Sequence, residues 1–192
     1  MARVKFQKAR KDYPAAGIVK GDMYYYARVM TGPRSSKEIR QKNPIRPSQL
    51  TSSAFLQGFY GLQERLEVFD GPLSDMSDFL EGVAGEAREL GEEEQGKYDN
   101  MPEGLQQGST GELLEERANA MEAWADSLET AATEATEKAE EFARIEELWK
   151  DHEMALAELE QDEEEPAEPD EERLDEQELI EEVKGEIEEP SL

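Results

Sequence analysis

The sequence predicts a mainly α fold: a small basic N-terminal β segment, an α-helical hairpin, a long heptad-patterned helix and a disordered acidic C-terminal tail. Three observations carry this. Apolar residues recur at helical spacing through most of residues 51–161, the aromatic run MYYYARVM alternates with a period of two, and charge is sharply segregated along the chain. Residues 1–50 hold 12 of the 21 Lys and Arg and only Asp12, Asp22 and Glu38 among the acids, whereas the chain as a whole carries a formal net charge of -27.

The first segment, residues 1–50, reads as two or three short strands. Val4 and Phe6 alternate with Lys5 and Gln7, and in the second run Met23, Tyr25, Ala27 and Val29 share one face while Tyr24, Tyr26, Arg28 and Met30 share the other. Thr31-Gly32-Pro33 predicts a turn, and Asn43-Pro44 with Arg46-Pro47-Ser48 predicts a connector.

Residues 51–94 predict a helical hairpin. Thr51 or Ser52 can cap its first helix, in which Phe55, Phe59, Leu62, Leu66 and Phe69 lie on one face. Gly58 and Gly61 suggest close approach of another backbone there. Asp70-Gly71-Pro72 interrupts the stripe, and Leu73, Met76, Leu80, Val83, Ala87 and Leu90 resume it. Residues 95–108, with Pro102 and several glycines, predict a loop.

Ser109 with Glu112 forms a capping-box pattern at the head of a long helix over residues 109–161. Leu114, Met121, Trp124, Leu128, Ala131 and Ala135 fall on one heptad frame, which Phe142, Ile145, Trp149, Leu156 and Leu159 continue. Unbroken, this helix would be about 78 Å long. The Ala/Thr-rich stretch near residues 130–137 is its weakest packing region, where a break is expected if there is one. Residues 162–192 are acidic and contain prolines, so disorder is expected, although Leu174, Leu179, Ile180, Val183 and Ile187 allow a short helix to form transiently or on a partner.

The composition restricts the chemistry. With no cysteine there is no disulfide frame, thiolate metal site or thiol nucleophile. The chain has no GxSxG, GxGxxG, P-loop, HExxH or EF-hand pattern, and its only histidine, His152, lies on the helical stripe between Trp149 and Leu156. Abundant carboxylates on a solvated face lack the enclosure that acid–base catalysis requires. Neither an enzyme nor a metal or other cofactor is expected. No apolar leader or run of about 18 apolar residues occurs, so a cytoplasmic protein without membrane attachment is expected.

A binding role remains. Lys5, Lys8, Arg10, Lys11, Arg28, Arg34, Arg40 and Lys42 supply cations for nucleic acid or another anion, and Tyr24 and Tyr26 supply rings that stack on unpaired bases. The plainer reading has the tyrosines packing a small core and the cations forming a solvated face or meeting the chain's own acids. Phe55, Phe59, Leu62, Leu66, Leu114, Met121, Trp124, Leu128, Phe142, Ile145 and Trp149 are helix-packing residues, for a host protein partner or for self-association through the heptad seam. Two alternatives stand beside the nucleic-acid role: an acidic decoy imitating a phosphate backbone, and a coiled-coil assembly or scaffold factor.

The strings KDYPAAGIVKGDMYYYARV, RPSQLTSSAFLQGFYGLQERLE and NMPEGLQQGSTGELLEERANAMEAW resemble a group of small uncharacterised proteins encoded by tailed bacteriophages. The resemblance covers roughly residues 1–125, with RPSQLT and MPEGLQQG its most specific parts. It implies an accessory or regulatory protein acting in the cytoplasm of a bacterial host. The group has no established activity, so the resemblance assigns no functional residues.

Overall fold

The computed structural model describes residues 2–158, 166–188 and 190. It shows a mainly α chain with a small N-terminal sheet, and among the described residues no helix is long and apolar enough to cross a membrane. The chain divides into two units, residues 1–69 and 70–192. The basic β segment therefore shares its unit with the first helix, and the boundary falls later than the residue 50/51 junction expected from sequence.

In the first unit, β1 (Lys5–Lys8), β2 (Met23–Gly32) and β3 (Ser35–Gln41) form an antiparallel sheet in the order β1-β2-β3. Both faces of β2 are used. Ala27 and Val29 pack with Ile39 and Ile45 in one cluster, while Tyr24 packs with Ala9 and Ile18 in another. The connector becomes a short 3-10 turn at Pro47–Leu50. Glu64 of α1 (Ala54–Glu67) holds it, accepting from the Ser48 amide and hydroxyl, both at 2.9 Å. Helix α1 is capped by Ser53 rather than by Thr51 or Ser52, because it is the Ser53 hydroxyl that accepts from the Leu56 amide. Phe55, Phe59 and Leu62 are buried and Leu66 is half-buried. A Cβ at Gly61 would meet nothing within 4 Å, so no backbone closes on that position.

The second unit is built on α2 (Leu73–Asp99) and α4 (Ser109–Glu158), joined through the short α3 (Glu103–Gln106). Contacts of Ser77 with Thr136, Arg88 with Asp126, and Glu94 with Arg117 make α2 and α4 antiparallel. Leu73, Met76, Leu80 and Val83 face this seam from α2, and Met121 and Leu128 are equally buried on α4. Each such side chain contributes about 1.5–3 kcal/mol by leaving water. Leu114, Trp124, Ala131, Ala135 and Ile145 are also buried, Phe142 and Trp149 are half-buried, and Leu156 is exposed. The heptad seam is thus largely covered within one chain. Leu159 lies outside the described residues.

Two segments differ from expectation. Helix α2 runs on to Asp99, into the anticipated loop, supported by Glu94–Lys97 and Gln95–Asp99 contacts one turn apart, and the Asn100 side-chain amide donates to the Gly96 carbonyl at 2.6 Å. Helix α4 does not break near residues 130–137. Thr130, Thr133 and Thr136 each return their hydroxyl to the carbonyl four residues earlier, and Ala131, Ala132 and Ala135 are small enough to be buried in close contact.

Much of the acidic C-terminal segment is ordered on α4. Asp175 caps α5 (Glu176–Gly185) by accepting from the Gln177 and Glu178 amides, and Ile180 and Val183 are buried. Glu176 accepts from the Leu73 amide at the start of α2, at 2.8 Å. Upstream, Arg144 donates to both oxygens of Glu171, Arg173 grips Glu146 and Glu153, and the Trp149 indole donates to the Glu171 carbonyl at 3.1 Å. The disorder expected for an acid-rich sequence gives way because Glu171 and Arg173 find charged partners on α4, and Ile180 and Val183 are buried where α5 packs on α4 and α2.

The seam makes a glycine contrast measurable. A Cβ at Gly91 would lie 3.1 Å from the Met121 Cβ and 3.2 Å from the Ala118 carbonyl oxygen, whereas one at Gly82 would meet nothing within 4 Å. Gly82→Ala is expected to stabilise the fold by about 0.5–1 kcal/mol through helix propensity, and Gly91→Leu to destabilise it by about 1–3 kcal/mol, as read by chemical denaturation.

The C-terminal segment of residues 166–188, a strap laid on α4, makes a pH prediction. Glu146 and Glu171 titrate below the usual carboxylate range because Arg173 hydrogen-bonds the first and Arg144 the second. A depressed folded pKa stabilises above the unfolded value, and that contribution is lost as pH falls through the folded one. Amide protection factors in residues 166–188, each referred to intrinsic exchange at the same pH, are therefore expected to fall before those of α2 and α4 as pH drops from neutrality to about 3. Simultaneous loss would show that these ion pairs do not anchor the strap.

Candidate nucleic-acid interface

The sheet register decides which basic and aromatic side chains are available. One row crosses the three strands as Lys5, Tyr26 and Arg40, and the next as Phe6, Tyr25 and Gln41. Successive rows face opposite ways, so Lys5, Tyr24, Tyr26, Arg28 and Arg40 share one face while Phe6, Lys8, Met23 and Tyr25 share the other.

On the first face the expected contact residues are largely occupied. Tyr24 is buried, and its hydroxyl accepts from the Gln7 amide at 2.7 Å, so it cannot stack on an incoming base. The Arg40 guanidinium lies 4.8 Å from the Tyr13 ring centroid and 5.2 Å from that of Tyr26. It also donates to Glu38, which accepts from Arg28 at 3.1 Å and from the Tyr26 hydroxyl at 3.0 Å as well. These bonds, led by Arg40 and then Tyr26, hold the Glu38 carboxyl below its ordinary range. Tyr26, Arg28 and Arg40 thus converge on a carboxylate of the chain itself.

Lys42 pairs with Asp22 at 2.9 Å, and this bond, with one from the Val19 amide, lowers the Asp22 carboxyl. Lys11 sits over the Tyr13 ring at 5.6 Å. Lys5, Lys8, Arg10 and Arg34 are exposed and form no ion pair among the described residues. Arg34 stands in the β2–β3 turn, at the far end of the sheet from β1.

The residue that sequence reasoning missed is Phe6. It is 58% exposed on β1, with its ring 4.7 Å from that of Tyr25 and tilted by 39°. Lys8 shares its strand and face, and Met23 lies opposite Lys8 and is also exposed. Alternation in VKFQK was the available signal, but the period of a half-exposed strand does not say whether the Phe6 side is covered. Because β1 is a four-residue edge strand, all four of its side chains are exposed.

This geometry offers a planar ring for stacking and cations for phosphates. On α4, Glu122, Asp126 and Glu129 pair with Arg88 of α2. His152 stands edge-on to Trp149, one turn earlier on α4, with ring centroids 6.0 Å apart. Among the described residues no group of three His, Asp or Glu side chains is arranged to hold a metal ion.

Tyr24→Phe separates structure from recognition. Losing the hydroxyl removes its bond from the Gln7 side-chain amide and is expected to cost about 1 kcal/mol in thermal or chemical unfolding, with no change in any anion affinity of the sheet. Compared with known protein families, curated proteins and solved structures, the chain matches none.

Proposed function

We propose that this chain is a non-enzymatic binding protein whose N-terminal unit takes single-stranded nucleic acid on the face formed by β1 and β2. Phe6, supported by Tyr25, stacks on an unpaired base, while Lys8 and Arg10 meet flanking phosphates. The observation that carries this reading is the exposed Phe6 ring against Tyr25 beside Lys8. Charge supports it: residues 1–69 hold 13 basic and 5 acidic side chains, a net of +8. The phage resemblance fits an accessory role of this kind in a bacterial host.

Single strands are favoured over duplex because a stacked ring needs an unpaired base. The second unit acts as an acidic neighbour that weakens non-specific attraction, so binding depends on the stacking contact as well as on charge.

Fluorescence anisotropy with labelled oligothymidine tests this, using the full chain and a 1–69 fragment at low and physiological salt. Binding that falls steeply with salt is expected, and Phe6→Ala should weaken it by about 1–3 kcal/mol while Arg40→Ala mainly destabilises the fold. Absence of binding by both proteins at low salt refutes the reading.

A further inference from the structure

Beside the sheet the first unit contains an apolar groove that the nucleic-acid reading does not use. β1 leaves the ladder at Lys5, opposite Tyr26, but β2 continues to Gly32. Over residues 27–32, β2 therefore pairs with β3 alone among the described residues, and residues 2–4 follow β2 without joining the sheet, with Ala2 packed against the Ala27–Val29 cluster. A cavity of about 750 Å³ opens at this place. Val29 and Met30 of β2 line one side, and Leu50, Leu56 and Tyr60 line the other. Arg3 and Arg28 contribute cations to the lining; Arg3 is exposed, and the Arg28 side chain retains 60% of its exposure beside Glu38.

We propose that this groove binds an extended acidic peptide segment of a partner protein by strand addition to the edge of β2 at residues 30–32, past the reach of residues 2–4. Three features select such a ligand over a small molecule or a nucleic acid. An unpaired strand edge offers backbone donors and acceptors that only another extended backbone satisfies in series. The apolar walls suit side chains arriving at every second position, the period of a strand. Arg3 and Arg28, in a unit of net charge +8, complement carboxylates on the residues between. A cavity of this size is also within the range that ligand sites occupy.

The probe is a short fluorescein-labelled synthetic peptide of alternating glutamate and valine. Its controls are a peptide of the same composition with the two residue types in separate blocks, and an alternating lysine–valine peptide. With the full-length chain, the alternating acidic peptide is expected to bind saturably below about 1 mM and to slow amide exchange within residues 30–32. Arg3→Glu, an exposed and unpaired position, should weaken it by about tenfold or more, and Met30→Glu should weaken it likewise while leaving oligothymidine binding unchanged. Saturation absent up to about 1 mM overturns the proposal, as does equal binding of the blocked or lysine peptide. Displacement of the peptide by oligothymidine, with protection of residues 30–32, would instead assign the groove to nucleic acid. Because the groove and Phe6 are altered by different variants, failure here and failure of the nucleic-acid reading are distinguishable.

Discussion

The second unit depends on one constraint: α2 and α4 must bury their apolar stripes against each other at close range. Gly91 sets the approach, since its missing side chain is what lets the backbone at Ala118 and the side chain of Met121 come near. Further along the same seam Glu94 is buried to 2% exposure between Lys97 and Arg117. A buried carboxylate contributes little net stability, but a shifted register would strand its charge without a partner, which makes it a device for specifying alignment. The alanine-rich stretch of α4 belongs to the same logic, because small side chains permit burial where larger ones would hold neighbouring elements apart.

Charge is organised by scarcity. In the acid-rich second unit the few cations are used as cross-links: Arg88 and Arg117 join α2 and α4, Lys138 reaches Glu182 of α5, and Arg144 and Arg173 fasten the strap to α4. The basic first unit inverts this arrangement. Its rare carboxylates anchor structure: Asp12 accepts from the Lys20 amide, Asp22 pairs with Lys42, Glu38 gathers Arg28, Tyr26 and Arg40, and Glu64 holds the turn before α1. Minority charges are consumed in folding, and the majority sign is left to face solvent and partners. Each unit consequently presents one polarity, although its internal electrostatics are balanced pair by pair.

The same economy explains why the tyrosine-rich segment is less available than its composition suggests. A sheet this small has few large side chains with which to fill a core, so Tyr24 is drawn inside and Tyr26 becomes a platform for Arg40. What remains for recognition lies at the edge strand, where Phe6 has no element covering it, and along the unpaired edge of β2.

The helical stripes at Phe55–Phe59–Leu62, at Leu73–Val83 and at Leu114–Leu128 were legible because periodicity is a local property: spacing alone decides which residues share a face. The basic–acidic division and the small alternating sheet were legible for the same reason. Several features were not local. Whether the Thr130–Thr136 stretch breaks depends on neighbours that accept small side chains, as at the buried Ala131, Ala132 and Ala135. Whether the acidic segment orders depends on Arg144, Trp149 and Leu73, which lie far from it in sequence. The fate of each tyrosine depends on the pairing register of β1 with β2. Sequence by itself determined the kinds of elements, their faces and the polarity of each part. Tertiary structure alone decided which charges are spent on the fold and which are left exposed, because that is settled by long-range pairing, where one residue's neighbour is chosen by the packing of all the others.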